Sequence, residues 1–345
     1  MSTRPLRSTS AIIAVRICVR RENCRSDQPA CDRAQRTYTK DLVSAAHELE
    51  PGTPDRKSAA IIRLMRPHQW IKNGLVLAPL VFGQRLFVAH DAILAIVALI
   101  AFCALASAGY ILNDIIDREA DRLNPEKCDR PLARGDLTIP TARMIALALA
   151  ATALILSLVL GPRFLAIAVA YLALQVIYSM WAKSQVVLDV IAVAIGFVLR
   201  AFAGGVAIGV AVSPWLVFIT FVLAMLLGLA RRRHELISLG DAASAHRDAL
   251  AHYSVGLIDQ MISIVAAATL VGYMIYTASA EVEAKLGTEH LYLTVPFVAF
   301  GILRYLYLID QHNEGGDPAR LLMRDRPLML AVVLWILTDI LLLYF

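Results

Sequence analysis

From Ile61 onward, apolar runs alternate with polar loops to the end of the chain. About twenty apolar residues of helix match a hydrocarbon core roughly 30 Å thick, so such runs predict membrane-crossing helices. The pattern predicts spans at Gln69–Val88, Ala92–Leu112, Ala142–Leu160, Phe164–Trp181, Val187–Ile208, Pro214–Ala230, Ile258–Ala280, Leu291–Ile309 and Pro327–Tyr344. That makes nine crossings in an all-α bundle.

The loops test this count. Gly83–Asp91, Gly161–Arg163 and Gly209–Ser213 hold few cations, and Glu281–His290 sets Lys285 against three Glu. The intervening loops hold Asn113–Pro140 with its many cations, Lys183, Arg231–Arg233 with Arg247, and Arg320, Arg324 and Arg326. Cations concentrate on the cytoplasmic side of membrane proteins. The N-terminus is therefore expected inside and Phe345 outside. A wrong span count would scramble this asymmetry.

Composition agrees. The chain has 345 residues, 58% hydrophobic and 18% charged, with a mean hydropathy of +0.63. Few soluble domains are that apolar. Of the net charge of +5, residues 1–60 carry +4 (11 Lys and Arg against 7 Asp and Glu), so its distribution matters more than its total, and it calls for no nucleic acid. Cys18, Cys24, Cys31, Cys103 and Cys128 match no zinc-binding spacing. Residues 1–60 are of different material, rich in Arg, Ser, Thr, Asp and Pro. Their apolar patch, Ala11–Val19, is short, interrupted by Arg16, and followed by no clear cleavage pattern. We read 1–60 as a disordered basic tail and 61–345 as the membrane domain.

Candidate chemistry concentrates just after the second span, in N-D-I-I-D-R-E-A-D-R-L-N-P-E-K-C-D-R-P-L-A-R-G, Asn113–Gly135. Asp114, Asp117 and Asp121 recur at spacings of three and four, which stacks them on one face of a helix. Three like charges at the edge of a low-dielectric core repel. A hard divalent cation, Mg²⁺, would neutralise them and keep positions for phosphate oxygens. Lys127, Arg130 and Arg134 follow, as phosphate-binding cations. The competing reading is a solvated loop of helix-spaced ion pairs. The run into an apolar span and the Pro-x-Lys-x-x-Arg-Pro string favour the metal–diphosphate site.

Ionisable groups inside spans are costly and commonly functional. Lys72 reads either as a ligand to an anion or as a snorkelling side chain beside Trp70. Lys183 and Asp189 bracket the start of the fifth span. Arg200 lies three turns beyond Asp189 on the same face, where the pair would line a polar cavity. Arg231 and Arg232 end the sixth span, and Tyr178 is a candidate hydrogen-bonding group.

A motif of the form N-D-x-x-D-x-x-x-D after the second of nine spans resembles the UbiA-type intramembrane prenyltransferase superfamily. The resemblance covers Leu64–Phe345. It implies a helical bundle around a central cavity open to lipid and cytoplasm, in which Asn113, Asp114, Asp117 and Asp121 hold Mg²⁺ and a diphosphate. Members that act on aromatic acceptors carry a second Asp-rich motif after the sixth span. Here that loop reads A-R-R-R-H-E-L-I-S-L-G-D, basic where it should be acidic. The segments R-P-H-Q-W-I-K-N, Y-S-M-W-A-K-S-Q-V-V-L-D-V, G-F-V-L-R-A-F-A-G-G and R-D-R-P-L are instead similar to the decaprenyl-phosphate phosphoribosyltransferase branch.

That branch implies 5-phosphoribosyl 1-diphosphate as donor and a polyprenyl phosphate as acceptor, in a bacterial inner membrane, with the active site cytoplasmic. One carboxylate cluster plus isolated cations suits this charge inventory. Asp114, Asp117 and Asp121 would be catalytic through the metal. Asn113, Lys72, Lys127, Arg130, Arg134, Tyr178, Lys183, Asp189, Arg200, Arg231 and Arg232 would bind substrate. Membrane lipids are the surrounding partner, and a homo-oligomer stays open. The rival readings are prenyl transfer to an aromatic acceptor and, further off, a transporter, for which no inverted repeat is visible.

Overall fold

A computed structural model describes residues 54–124, 127–239 and 252–345. Among them every regular element is helical. The chain divides into two units at Lys57/Ser58, and the bundle lies in Ser58–Phe345. The expected tail lies mostly outside the described residues, but its last residues belong to α1, Pro54–Met65.

Eight segments are long and apolar enough to cross a membrane. They are α3 (Ala89–Ile116), α6 (Ile139–Val159), α7 (Pro162–Met180), α8 (Leu188–Ala207), α9 (Pro214–Leu239), α10 (Val255–Thr277), α12 (Val295–His312, with a 3₁₀ lead-in at Leu291–Thr294) and α14 (Arg326–Tyr344). Short helices fill the loops: α4 (Arg118–Leu123), α5 (Pro131–Arg134), α11 (Ala280–Leu286) and α13 (Pro318–Arg324). Thr138 and Ser254 cap α6 and α10 through their side chains, and Asp325 caps α14. Each satisfies an amide that the first helical turn leaves free.

The first expected span is not one α-helix. It is a 3₁₀ helix, Pro67–Leu77, followed by α2, Ala78–Phe82. Pro67, Gly74, Pro79 and Gly83 punctuate it, and each weakens an α-helical continuation. At about 2.0 Å rise per 3₁₀ residue and 1.5 Å per α residue, the two pieces still reach roughly 30 Å. Its ends meet opposite ends of the bundle. Arg66 pairs with Asp114 at the close of α3, whereas Leu86 N–H donates to Tyr344 Oη at the close of α14 (3.0 Å).

The segment presses on α8 at Gly204, where a Cβ would collide with the Val76 carbonyl. Only glycine allows that approach. One apolar core gathers Val76, Phe102, Phe164, Tyr171 and Ala203 from this segment, α3, α7 and α8. A second gathers Leu226, Ile258, Ile302, Tyr305 and Leu328 from α9, α10, α12 and α14.

Candidate active site

The carboxylates lie where α3 gives way to α4. Asp114 is in the last turn of α3, Asp117 is its C-cap residue and Asp121 is in α4. The backbone bonds Asp117 N–Asn113 O and Asp121 N–Asp117 O, both 2.8 Å, keep the helical spacing across the break. The expected single face is therefore kinked, but not lost.

Cations hold the acids. Arg130 Nη1 donates to Asp114 Oδ1 at 3.0 Å and to Asp121 Oδ2 at 2.6 Å. Arg66 pairs with the same Asp114 oxygen. Asp117 takes Lys183 on one oxygen and Asn113 Nδ2 (2.9 Å) on the other. Burial pushes the Asp121 carboxyl above the ordinary carboxylate range; Arg130 opposes this and Asp114 adds to it. Burial, reinforced by Arg66, pulls the Arg130 guanidinium down.

Among the described residues no group of three or more Asp, Glu, His or Cys side chains stands ready to hold a metal ion. The donor chemistry nevertheless fits one. Asp114 and Asp121 converge on a single positively charged nitrogen. Asn113 Oδ1, beside Asp117, is buried with no hydrogen-bond partner. Two anionic oxygens around one positive point, with an orphaned neutral acceptor nearby, is a hard-cation donor set.

A second network lies at the same end. Glu235, which follows the Arg231–Arg233 run, is buried and pairs with Lys127 (3.7 Å), Arg231 (3.4 Å) and Arg232. Arg232 lies 2.9 Å from Asp189 and close to Tyr178. Tyr253 Oη approaches Asp189 at 3.5 Å and accepts the Val187 amide at 2.7 Å. Val187 holds φ 67°, a costly conformation for a β-branched residue.

Asp189 and Arg200 are both buried on α8, as their spacing requires, but they serve different partners. Arg200 bonds Asn73 Oδ1, the Tyr171 hydroxyl and the Gly196 carbonyl, each at 2.7 Å, and stacks on the Tyr171 and Phe197 rings. Its partners are neutral. Lys72 makes no hydrogen bond or ion pair with any described residue, yet Arg231, Asp317, Arg200 and Arg66 all lie within electrostatic reach. A poorly hydrated ammonium among arginines is repelled, and it either sheds its proton or is joined by an anion.

Of the residues singled out from the sequence, Asn113, Asp114, Asp117, Asp121, Arg130 and Lys183 come together. Arg200 and Arg231 lie within electrostatic reach of Lys72, and Lys127, Arg231 and Arg232 meet at Glu235, with Asp189 joined through Arg232. Arg134 is turned away, pairing with Asp136 at 3.5 Å. Asp241, Arg247 and Asp248 lie outside the described residues. Sequence reading missed Arg66, Asn73, Glu235 and Asp317. Arg66 precedes a proline and adopts φ 54°, ψ 60°, and that left-handed conformation accompanies its reach to Asp114.

The family model of the UbiA prenyltransferase family matches residues 76–325. The chain is 30% identical to the decaprenyl-phosphate phosphoribosyltransferase of Mycolicibacterium smegmatis, over 86% of this chain and 96% of that one. It is 31% identical to the Mycobacterium tuberculosis protein of the same name, over 83% and 94%. The fold is similar to that of a UbiA homolog from Archaeoglobus fulgidus solved with GPP and Mg²⁺, with TM-score 0.63, 19% identity, and 83% of this chain and 100% of that one covered. The chain belongs to the UbiA prenyltransferase family.

Proposed function

We propose that the membrane domain, residues 61–345, transfers the 5-phosphoribosyl group from 5-phosphoribosyl 1-diphosphate to a polyprenyl phosphate and releases pyrophosphate. The observation that carries this reading is Lys72, which has no hydrogen-bond partner among the described residues and stands within electrostatic reach of three arginines, Arg66, Arg200 and Arg231, against one carboxylate, Asp317. A prenyl diphosphate brings anions to one place. The phosphoribosyl reaction brings a diphosphate, a separate 5-phosphate and a lipid phosphate, which suits cations spread from Arg130 to Arg200.

Asp114, Asp117 and Asp121 would hold Mg²⁺, with Asn113 completing the polar wall; the ion would neutralise the donor diphosphate. Arg130 and Lys127 stabilise the charge that builds on departing pyrophosphate. Lys72, Arg200 and Arg231 receive the 5-phosphate and the lipid phosphate, and Lys183 and Arg232 keep Asp117 and Asp189 in place. The C1–O bond to pyrophosphate breaks, leaving C1 oxocarbenium-like, and a lipid phosphate oxygen bonds to C1 from the opposite face. That oxygen is already ionised at neutral pH, so no general base is required. Catalysis is positioning and electrostatics. The cation-rich loops support a cytoplasmic position for this end of the bundle, and the membrane is read as a bacterial inner membrane.

The test is incubation of the purified protein with Mg²⁺, radiolabelled 5-phosphoribosyl 1-diphosphate and a polyprenyl phosphate. Label should move into the organic phase and stay aqueous when Mg²⁺ is chelated. No transfer of this label, with transfer instead of a prenyl group from its diphosphate to an aromatic acceptor, would reject the reading.

A further inference from the structure

The cations gathered around Lys72, namely Arg66, Arg200 and Arg231, can only donate hydrogen bonds. Arginine and protonated lysine have no acceptor. Phosphate oxygens suit them; sugar hydroxyls, which must also donate, are not fully served by them. One carboxylate within electrostatic reach of Lys72 is not ion-paired to an arginine or lysine among the described residues. It is Asp317, in the turn between α12 and α13.

Its geometry is fixed from two sides. Oδ1 caps α13, accepting the Ala319 and Arg320 amides at 3.2 and 3.4 Å. Oδ2 accepts the Gln69 amide at 2.9 Å and lies 3.7 Å from His68 Nε2. Gln69 is buried, Asp317 retains partial exposure, and Lys72 is within electrostatic reach. Burial alone would raise the Asp317 carboxyl, but Lys72, Gln69, the Arg320 amide and His68 hold it below the ordinary carboxylate range. It is an ionised, oriented acceptor at neutral pH.

We propose that Asp317 Oδ2 accepts hydrogen bonds from the vicinal diol of the sugar donor, making Asp317 the residue that selects a ribosyl donor. The assignment rests on the donor class argued above. A site built to bond a hydroxyl rejects the analogue lacking it, because the acceptor is then left without its partner.

The test uses Asp317→Asn in the full-length protein. Asparagine keeps the volume and the helix cap, but it can turn an amide donor toward the diol in place of the acceptor. Binding of ribose 5-phosphate, 2-deoxyribose 5-phosphate and 3-deoxyribose 5-phosphate is measured by thermal shift in detergent. The unaltered protein should prefer ribose 5-phosphate to at least one deoxy analogue by about tenfold or more, the worth of a charged hydrogen bond. The variant should bind all three within a factor of two. KM for 5-phosphoribosyl 1-diphosphate should rise by a similar factor, with kcat less affected. Equal discrimination by both proteins, or none by the unaltered one, overturns the assignment. The label-transfer assay reads the donor reaction separately, so selective sugar-phosphate binding without transfer would sink the transferase reading and spare the diol acceptor.

Discussion

The two ends of the bundle are built from different chemistry. At the end where α3 meets α4, Asp114, Asp117, Asp121, Asp189 and Glu235 are each paired with an arginine or lysine, and Lys72 and Arg200 stand over as cations with no carboxylate partner. At the other end, apart from the Arg85–Asp91 pair at 3.6 Å, neutral groups make the ties. Gln84 donates to the Leu286 carbonyl at 2.6 Å, Trp335 to the Tyr273 hydroxyl at 2.8 Å, and Tyr273 and Thr294 share a hydrogen at 2.7 Å. Tyr344 Oη spans the carbonyls of Leu80 and Val81. Neutral bonds hold helices together at modest cost, whereas buried charges are costly unless compensated. The uncompensated positive charge at one end is therefore read as standing for anions that arrive as substrates.

The sharpest break of this contrast is at the acids. Asp114→Asn removes a charge that two arginines share while keeping its shape. We expect kcat for label transfer to fall about 10²–10³-fold, the usual cost of losing one preorganised electrostatic contact. The protein should still purify as a folded membrane species, because Arg130 keeps Asp121. Activity within threefold of the unaltered chain would remove Asp114 from the site.

A smaller effect is expected at Lys72. Lys72→Met should raise KM for one of the two phosphate substrates roughly tenfold, within the range for a charged hydrogen bond. Thermal stability should stay level or increase, because an ammonium without a hydrogen-bond partner among arginines is lost. Stability gained as affinity falls is the mark of a residue kept for function. Stability lost with KM unchanged would mark Lys72 as structural and weaken the contrast between the ends.

How far the sequence reveals this arrangement depends on the range of the interaction. Eight spans were legible because a run of apolar residues is a local signal with no competitor in a bilayer. The segment 67–82 was legible as apolar but not as 3₁₀, since that choice follows from Pro67, Gly74 and Pro79 acting with the close approach to Gly204. The Asp114–Asp117–Asp121 spacing was legible because helical periodicity is local too. The partners were not: Arg66 and Asp114 are 48 residues apart, and Gln69 and Asp317 are 248 apart. Pairing across such distances is set by how helices dock, which periodicity does not encode. Glu235 was visible in the loop beside its arginines, but its burial against Lys127 was not.

The far end supplies the smallest expected effect on turnover. Asp339 in α14 is 1% exposed, and neither carboxylate oxygen has a hydrogen-bond partner among the described residues. By the logic of the other end, an unmatched buried charge calls for a ligand. The difference lies in the surroundings: Asp339 stands near Tyr273 and Tyr276 in an aromatic cluster with Trp335 and Trp215, with no excess of like charge around it. A lone carboxyl there can shed its charge by taking a proton, a route closed to arginine, so it need not bind anything to be tolerated. Asp339→Leu should then leave label transfer unchanged within a factor of two. It should also stabilise the protein by about 1–3 kcal/mol, the cost of a buried polar group left unmatched. Asp339→Asn, equal in volume but still polar, should give less of that gain in thermal unfolding. If Asp339→Leu instead abolishes transfer in a protein that remains folded, the far end takes part in the reaction, and the division of labour between the two ends fails.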